Sequence, residues 1–207
     1  MGSNPGKQPD RQKQRQAIRI QRRALSPMER RSRSEALCAQ LFRQPVFRSA
    51  SNIALYLPAD GEIDTASIIG RCWTLGKNVY LPVLVPFLDN SLWFARYKPD
   101  TRLVSNRFGI PEPQSVHRQR VKPLALDLVL TPLVGFDQKG NRLGMGGGYY
   151  DRSFAFLLRR RSWKKPHMVG LAYDFQQLEM LPTQPLSLIH ISDPTRQPAT
   201  TRMTSSS

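Results

Sequence analysis

The stretch NIALYLPADGEIDTASIIGRCWTLGKNVYLPVL, residues 52–84, carries two apolar runs on either side of a segment with a different period. Residues 52–57 and 78–84 read as strands. Between them, Ile68, Ile69, Cys72 and Trp73 recur at the spacing of one helix face, with Gly76 as the stop. Strand, helix and strand in this order form a βαβ unit, and the helical crossover makes the two strands parallel. Parallel sheets need cover on both faces, so this stretch predicts an α/β fold.

Working outward, the same alternation continues. SLWFARY, residues 91–97, reads as a strand paired through a hairpin, with Pro82 and Pro86 placing its partner at a sheet edge. The nearly unbroken apolar run LDLVLTPLVGF, residues 126–136, is expected to be a central strand covered on both faces. A helix with Phe154, Leu157 and Leu158 on its core side should follow, and then HMVGLAY as another buried strand. Upstream, residues 11–24 read as a helix. Ser26-Pro27-Met28-Glu29 has the form of a capping box with proline at the first helical position, opening a second helix that ends near Arg43. The expected architecture is three-layer α/β with a mostly parallel sheet.

Composition narrows the function. The chain has 207 residues, of which 40% are hydrophobic, enough for one globular domain with tails. No apolar run approaches the roughly 18 residues that would span a membrane, and the polar start predicts a cytoplasmic protein. Two cysteines, Cys38 and Cys72, and three scattered histidines suggest neither a disulfide framework nor a zinc site. The net charge of +16 points to an anionic partner. Nucleic acid is one reading, and a nucleotide with an acidic small molecule is another. Arg11, Arg15, Arg19 and Arg22 recur along one helical face, a stripe that could clamp phosphates.

GNRLGMGGGYYDR, residues 140–152, places four glycines in the five positions 144–148. Each costs about 0.5–1 kcal/mol relative to alanine in regular structure. The cluster falls between a predicted central strand and a helix, at the carboxyl end of the sheet, where open α/β sheets bind ligands. Backbone N–H groups without a Cβ in the way can ring phosphate oxygens, with a helix dipole behind them. Standard nucleotide motifs nevertheless fail. Tyr149 stands where the dinucleotide fingerprint wants glycine, and residues 135–142 end Gly-Asn-Arg instead of Gly-Lys-Ser/Thr. Asp137 reads as a stabiliser of the Asp-Gln-Lys-Gly turn, outside the site.

The longer string TPLVGFDQKGNRLGMGGGYYDR closely resembles the signature of the 5-formyltetrahydrofolate cyclo-ligase family, and its Gly-Met-Gly-Gly-Gly form resembles bacterial members. The resemblance extends through RFGIPEP, LPADGEIDT and the Arg11-x-x-x-Arg15 helix start, and forward through VGLAYDFQQLEMLP, about residues 11–186. It implies a fold of the sugar-phosphate isomerase/CoA-transferase type, with ATP and Mg2+ as requirements. The implied substrate is 5-formyltetrahydrofolate or its polyglutamates, closed to 5,10-methenyltetrahydrofolate through an N5-iminium phosphate. It further implies that Arg11, Arg15, Arg142, Leu143, Gly144, Met145, Gly146, Gly147, Gly148, Tyr149 and Tyr150 contact ATP. Residues 145–149, Leu57, Glu62 and Phe108 would border the folate, with Arg15, Arg142 and Tyr149 nearest the chemistry and Asp151 on magnesium. One of Tyr149 and Tyr150 could be purely a core ring, and the sequence does not say which.

Little acid–base chemistry is needed for such a reaction, which suits a chain without an obvious catalytic histidine or thiol. The pattern breaks after Pro185. LSLIHISDPTRQPATTRMTSSS lacks periodicity, so residues 187–207 are expected to be a disordered, non-native tail, and residues 1–10 a disordered basic start. The domain between them, 11–186, is expected to act as a monomer. The alternative from another class is a basic nucleic-acid-binding protein that uses the N-terminal arginine helices.

Overall fold

The computed structural model describes residues 11–84, 91–107, 109–114, 120–159, 165–181 and 189–192. Three helices come first: α1 (Arg11–Ala24), α2 (Pro27–Arg43) and α3 (Pro45–Ser49). The capping box is formed as expected, with the Glu29 amide donating to the Ser26 hydroxyl at 3.3 Å and the Ser26 amide donating to the Glu29 carboxylate at 2.8 Å. The βαβ unit follows as β1 (Asn52–Ala54), α4 (Ala66–Thr74) and β2 (Asn78–Leu84), with Asn52 opposite Asn78 in parallel register.

Beyond it come β3 (Leu92–Tyr97), β4 (Leu103–Ser105), β5 (Pro111–Pro113), β6 (Arg120–Val121) and β7 (Leu128–Pro132). The chain continues through β8 (Gly135–Phe136), β9 (Arg142–Leu143), α5 (Tyr149–Ser153), β10 (His167–Ala172) and β11 (Ile189–Ser192). The main sheet has the order β11-β10-β7-β1-β2-β3-β6. Its strands are parallel from β11 to β2, and β3 runs antiparallel to both of its neighbours.

Strand alternation divides the core into two faces. Ile53, Leu128 and Leu130 pack with Leu37, Leu41, Ile68 and Cys72 on the side of α2 and α4. Ala54 and Val129 pack with Phe94 and Phe154 on the other side. A smaller cluster of Ile18, Val134, Leu143 and Leu181 seats α1 over the β8–β9 hairpin. The result is the three-layer, mostly parallel arrangement expected. Both cysteines are buried in the first core face, and burial pushes the Cys38 thiol up to about 11 and the Cys72 thiol up to about 12. They are packing residues, not nucleophiles.

Four local expectations are corrected. β2 is not an edge strand, because it pairs with β1 and β3. The Tyr80 carbonyl accepts from Leu55 on the β1 side, so alternation points residue 82 the same way, beyond the last residue of β1, where no amide is needed. The run 126–136 is not one strand: Pro132 ends β7, and Gly135 and Phe136 pair with β9 instead. The helix after the glycines is only five residues long and gives way to a 3-10 turn over Ala155–Arg159. That change of pitch buries Phe154 and leaves Leu158 exposed. Finally, residues 189–192, expected to be disordered, form β11 and pair in parallel with β10, Val169 opposite Ile189. The short alternation Ile-His-Ile-Ser carries that strand.

Candidate active site

The glycine loop follows the β8–β9 hairpin at the carboxyl end of β7. Asp137 closes that hairpin, as its Asp-Gln-Lys-Gly setting predicts. Its buried carboxylate accepts from the amides of Lys139, Asn141 and Leu181, each at 2.9 Å. In the loop itself, Gly146 (φ +101°) and Gly148 (φ +66°) adopt the left-handed conformations that side chains resist. Gly144 does not, and a Cβ placed there would meet nothing within 4 Å. The fold therefore supplies no reason for Gly144 to be bare. A helix dipole contributes little, because α5 has only five residues.

Arginines supply the positive charge instead. The Arg15 Nε donates to the Gly144 carbonyl at 2.7 Å, and its guanidinium carbon lies 3.9 Å from where a Gly146 Cβ would be. The Arg152 guanidinium donates to the Gly147 carbonyl from below the loop, and Arg107 reaches the Tyr149 hydroxyl at 3.4 Å. Arg142, on β9, is buried and pairs with the Asp151 carboxylate at the start of α5. Burial pushes the Arg142 guanidinium down and the Asp151 charge partly restores it, so the pair is set by the need to neutralise a buried cation.

The arginine stripe on α1 is not all available for phosphate. Arg11 is exposed at the helix start and Arg15 reaches the glycine loop, whereas Arg19, Arg22 and Arg23 all converge on Asp60. Asp60 lies in the turn that carries Glu62. The Glu62 carboxylate accepts from the Ala59 amide at 3.1 Å and stands 3.9 Å from Arg22 Nη1. Burial pushes this carboxyl up, against the Ala59 hydrogen bond and the Arg22 charge. Around it stand three phenols. The Tyr173 hydroxyl donates to the Glu62 carbonyl at 3.2 Å and the Tyr56 hydroxyl to the Ile63 carbonyl at 3.3 Å. The Tyr150 phenol is held above its ordinary range, first by burial and then by the charge of Glu62.

Tyr149 and Tyr150 are both half-buried against the second core face, so neither is purely a core ring. The Tyr150 ring stacks on Phe154 at 6.3 Å, and Tyr149 has its hydroxyl toward Arg107. Tyr150 links the glycine loop to the Glu62 region. Glu62 also lines a cavity of 640 Å3 together with Asp60, Arg30 and Ser34, but the glycine loop does not line it. Leu57 is half-buried beside the α2–α4 core face. Leu143 is buried and Met145 is 55% exposed, the one apolar side chain the loop presents to solvent. Phe108 lies outside the described residues.

Sequence reading missed three of these side chains. Arg152 stood inside the quoted motif without a role, Arg107 directly precedes Phe108, and Asp60 stood in LPADGEIDT without a role. Only their distant partners reveal what they do. As to metal, the described residues contain no group of three or more His, Cys, Asp or Glu that could hold an ion. Asp151, paired with Arg142 at the start of α5, is the carboxylate that follows the glycine loop.

Comparison with known proteins gives named relatives for this chain. The chain is 46% identical over 177 residues to the 5-formyltetrahydrofolate cyclo-ligase of Haemophilus influenzae, covering 84% of this chain and 91% of that protein. It is 41% identical over 169 residues to the enzyme of the same name from Escherichia coli K12, covering 81% and 90%. Among solved structures it superposes on the 5,10-methenyltetrahydrofolate synthetase of Aquifex aeolicus with a TM-score of 0.71 at 33% identity, over 88% of this chain and 89% of the other. No described helix is long and apolar enough to cross a membrane. The model of the 5-formyltetrahydrofolate cyclo-ligase family matches residues 7–190, and this chain belongs to that family.

Proposed function

We propose that this chain converts 5-formyltetrahydrofolate to 5,10-methenyltetrahydrofolate in the cytoplasm, with ATP converted to ADP and phosphate. The observation that carries the reading is Arg15 against the bare backbone at Gly144. Arg11, Arg15 and Arg142, with the backbone from Leu143 to Tyr150, would hold the triphosphate by charge-assisted hydrogen bonds. Glu62 and Leu57 would hold the pterin end, Phe108 would pack on it, and residues 145–149 would border both substrates. The cavity beside Glu62 has the volume usual for a small-molecule pocket.

Chemically, the formyl amide is a poor electrophile. Transfer of the γ-phosphoryl group to its oxygen breaks the bond to ADP and makes an N5-iminium phosphate. N10 then attacks the formyl carbon, and phosphate leaves with the former formyl oxygen. Holding N10 against that carbon converts a slow encounter into a positioned step, worth several kcal/mol on the order of known intramolecular effects. Magnesium on the triphosphate supplies charge neutralisation at the transferring group, and Asp151 is the side chain that would meet it. Arg15 and Arg142 would stabilise the charge that develops on the phosphoryl oxygens. Every residue in this scheme lies on one chain, so a monomer suffices.

The nucleic-acid reading has less support, because Arg19, Arg22 and Arg23 are engaged by Asp60. The test is direct. Incubation of the folded chain with 5-formyltetrahydrofolate and Mg-ATP should produce the methenyl chromophore in an ATP-dependent manner. A folded protein that yields no product would overturn the activity.

A further inference from the structure

Asp60 occupies an unusual position. It is the only non-glycine residue with positive φ among the described residues, at +51°, a conformation that aspartate tolerates better than most side chains but still resists. The next residue, Gly61, brings the turn so close to α1 that a Cβ there would lie 2.8 Å from the Arg22 carbonyl oxygen. One carboxylate then receives three guanidinium groups: Arg19 at 2.6 Å, Arg22 at 2.9 Å, and Arg23. Arg22 is 1% exposed, and its other arm reaches the Leu133 carbonyl at 3.3 Å and comes within 3.9 Å of the Glu62 carboxylate. Burial pushes the Asp60 carboxyl up, but hydrogen bonds from Arg19 and Arg23 and the charges of Arg19 and Arg22 outweigh it and hold the acid below its ordinary range.

The placement joins the two proposed substrate sites. Arg19 stands one helical turn from Arg15, whose Nε is on the Gly144 carbonyl. Glu62 is two residues from Asp60 and shares Arg22 with it. Any small shift of α1 toward a triphosphate must therefore move the turn that carries Glu62, and the reverse also holds. Resting on the function proposed above, we infer that Asp60 is a positioning residue that couples the sites: by clamping α1 to the Glu62 turn, it makes nucleotide and folate strengthen one another's binding. Such coupling is reciprocal, so each ligand must tighten the other by the same factor.

Calorimetry on the full-length chain tests this with Mg2+ plus adenylyl imidodiphosphate as one ligand and 5-formyltetrahydrofolate as the other, each titrated alone and against saturating partner. In the wild-type chain the expected mutual tightening is roughly tenfold, within the usual range for coupled sites. Asp60→Asn, which tolerates the same backbone conformation, should reduce that factor to about twofold or less. Arg48→Gln, at an exposed position on α3 that lines no part of the cavity beside Glu62, should leave it unchanged. A folded Asp60→Asn chain with wild-type coupling, or a wild-type chain that binds both ligands independently, overturns the proposal while leaving the function intact. A wild-type chain that binds neither ligand overturns the function itself. Should Asp60→Asn fail to fold, Arg23→Gln removes one of the three contacts from a half-exposed position; a coupling factor reduced in that variant supports the clamp, and an unchanged one overturns it.

Discussion

Gly144 and Gly148 stand four residues apart in one loop and are glycine for different reasons. Gly148 caps α5 with φ +66°, and a Cβ on it would lie 2.8 Å from the Arg152 guanidinium. Gly148→Ala should therefore cost about 1–2 kcal/mol of stability, the usual penalty for a side chain in the left-handed region, readable as a shift in the urea midpoint. Gly144 carries no such demand. Gly144→Ala should leave the urea midpoint unchanged and weaken ATP binding by roughly tenfold, equivalent to about 1.4 kcal/mol. Wild-type affinity in that variant would mean the bare backbone at 144 serves no ligand. Gly147→Val is a poorer probe, because its Cβ would strike the Tyr149 ring at 2.9 Å before any ligand arrived.

Among the elements, α1 divides its arginines between two tasks. Its first half presents Arg15 to the glycine loop, and its last turn is fixed to the Glu62 turn through Asp60. A helix with 3.6 residues per turn can do both only because its basic residues recur at three and four. Arg15→Ala should lower kcat/KM by roughly 10- to 100-fold, in line with about 1.5–3 kcal/mol for a hydrogen bond to a charged group. Arg33→Ala, on α2 and far from the loop in chain and role, should change kcat/KM by less than about twofold. Equal losses in the two variants would show that general positive charge, not a placed guanidinium, attracts the substrate. With only five residues in α5, little helix dipole stands behind the glycine loop.

Across the whole molecule, the sheet depends on how its last strand is closed. β10 is central in burial, with Met168 to Ala172 all buried, and β11 pairs along four of its residues. Removing β11 would leave the β10 backbone as an open edge, with unpaired amides and carbonyls. A chain ended after Leu186 should therefore melt below one ended after Ser192, by on the order of 5 °C if the strand contributes about 2 kcal/mol. Identical melting temperatures would show that β11 adds nothing, and that the tail is as inert as its composition suggests.

Much of this molecule is written in short-range pattern. The βαβ unit, the capping box on α2, the buried strand at β10 and the glycine cluster were legible because each depends on residues within one or two turns or along one strand, where period and turn chemistry act. The glycine cluster also marked the loop as a candidate site, since four closely spaced glycines are hard to justify by local structure. What the sequence could not decide is which charge meets which. Arg15 finds the Gly144 carbonyl across 129 residues, Arg22 finds Asp60 across 38, and Tyr173 finds the Glu62 carbonyl across 111. The same limit hid the split of the run 126–136, the interior place of the Pro82 strand and the docking of β11, each settled by a neighbour strand distant in the chain. Side-chain type and period determined the elements by themselves; the division of the α1 arginines between the Gly144 carbonyl and Asp60 exists only once the folded sheet brings two distant loops to the same helix.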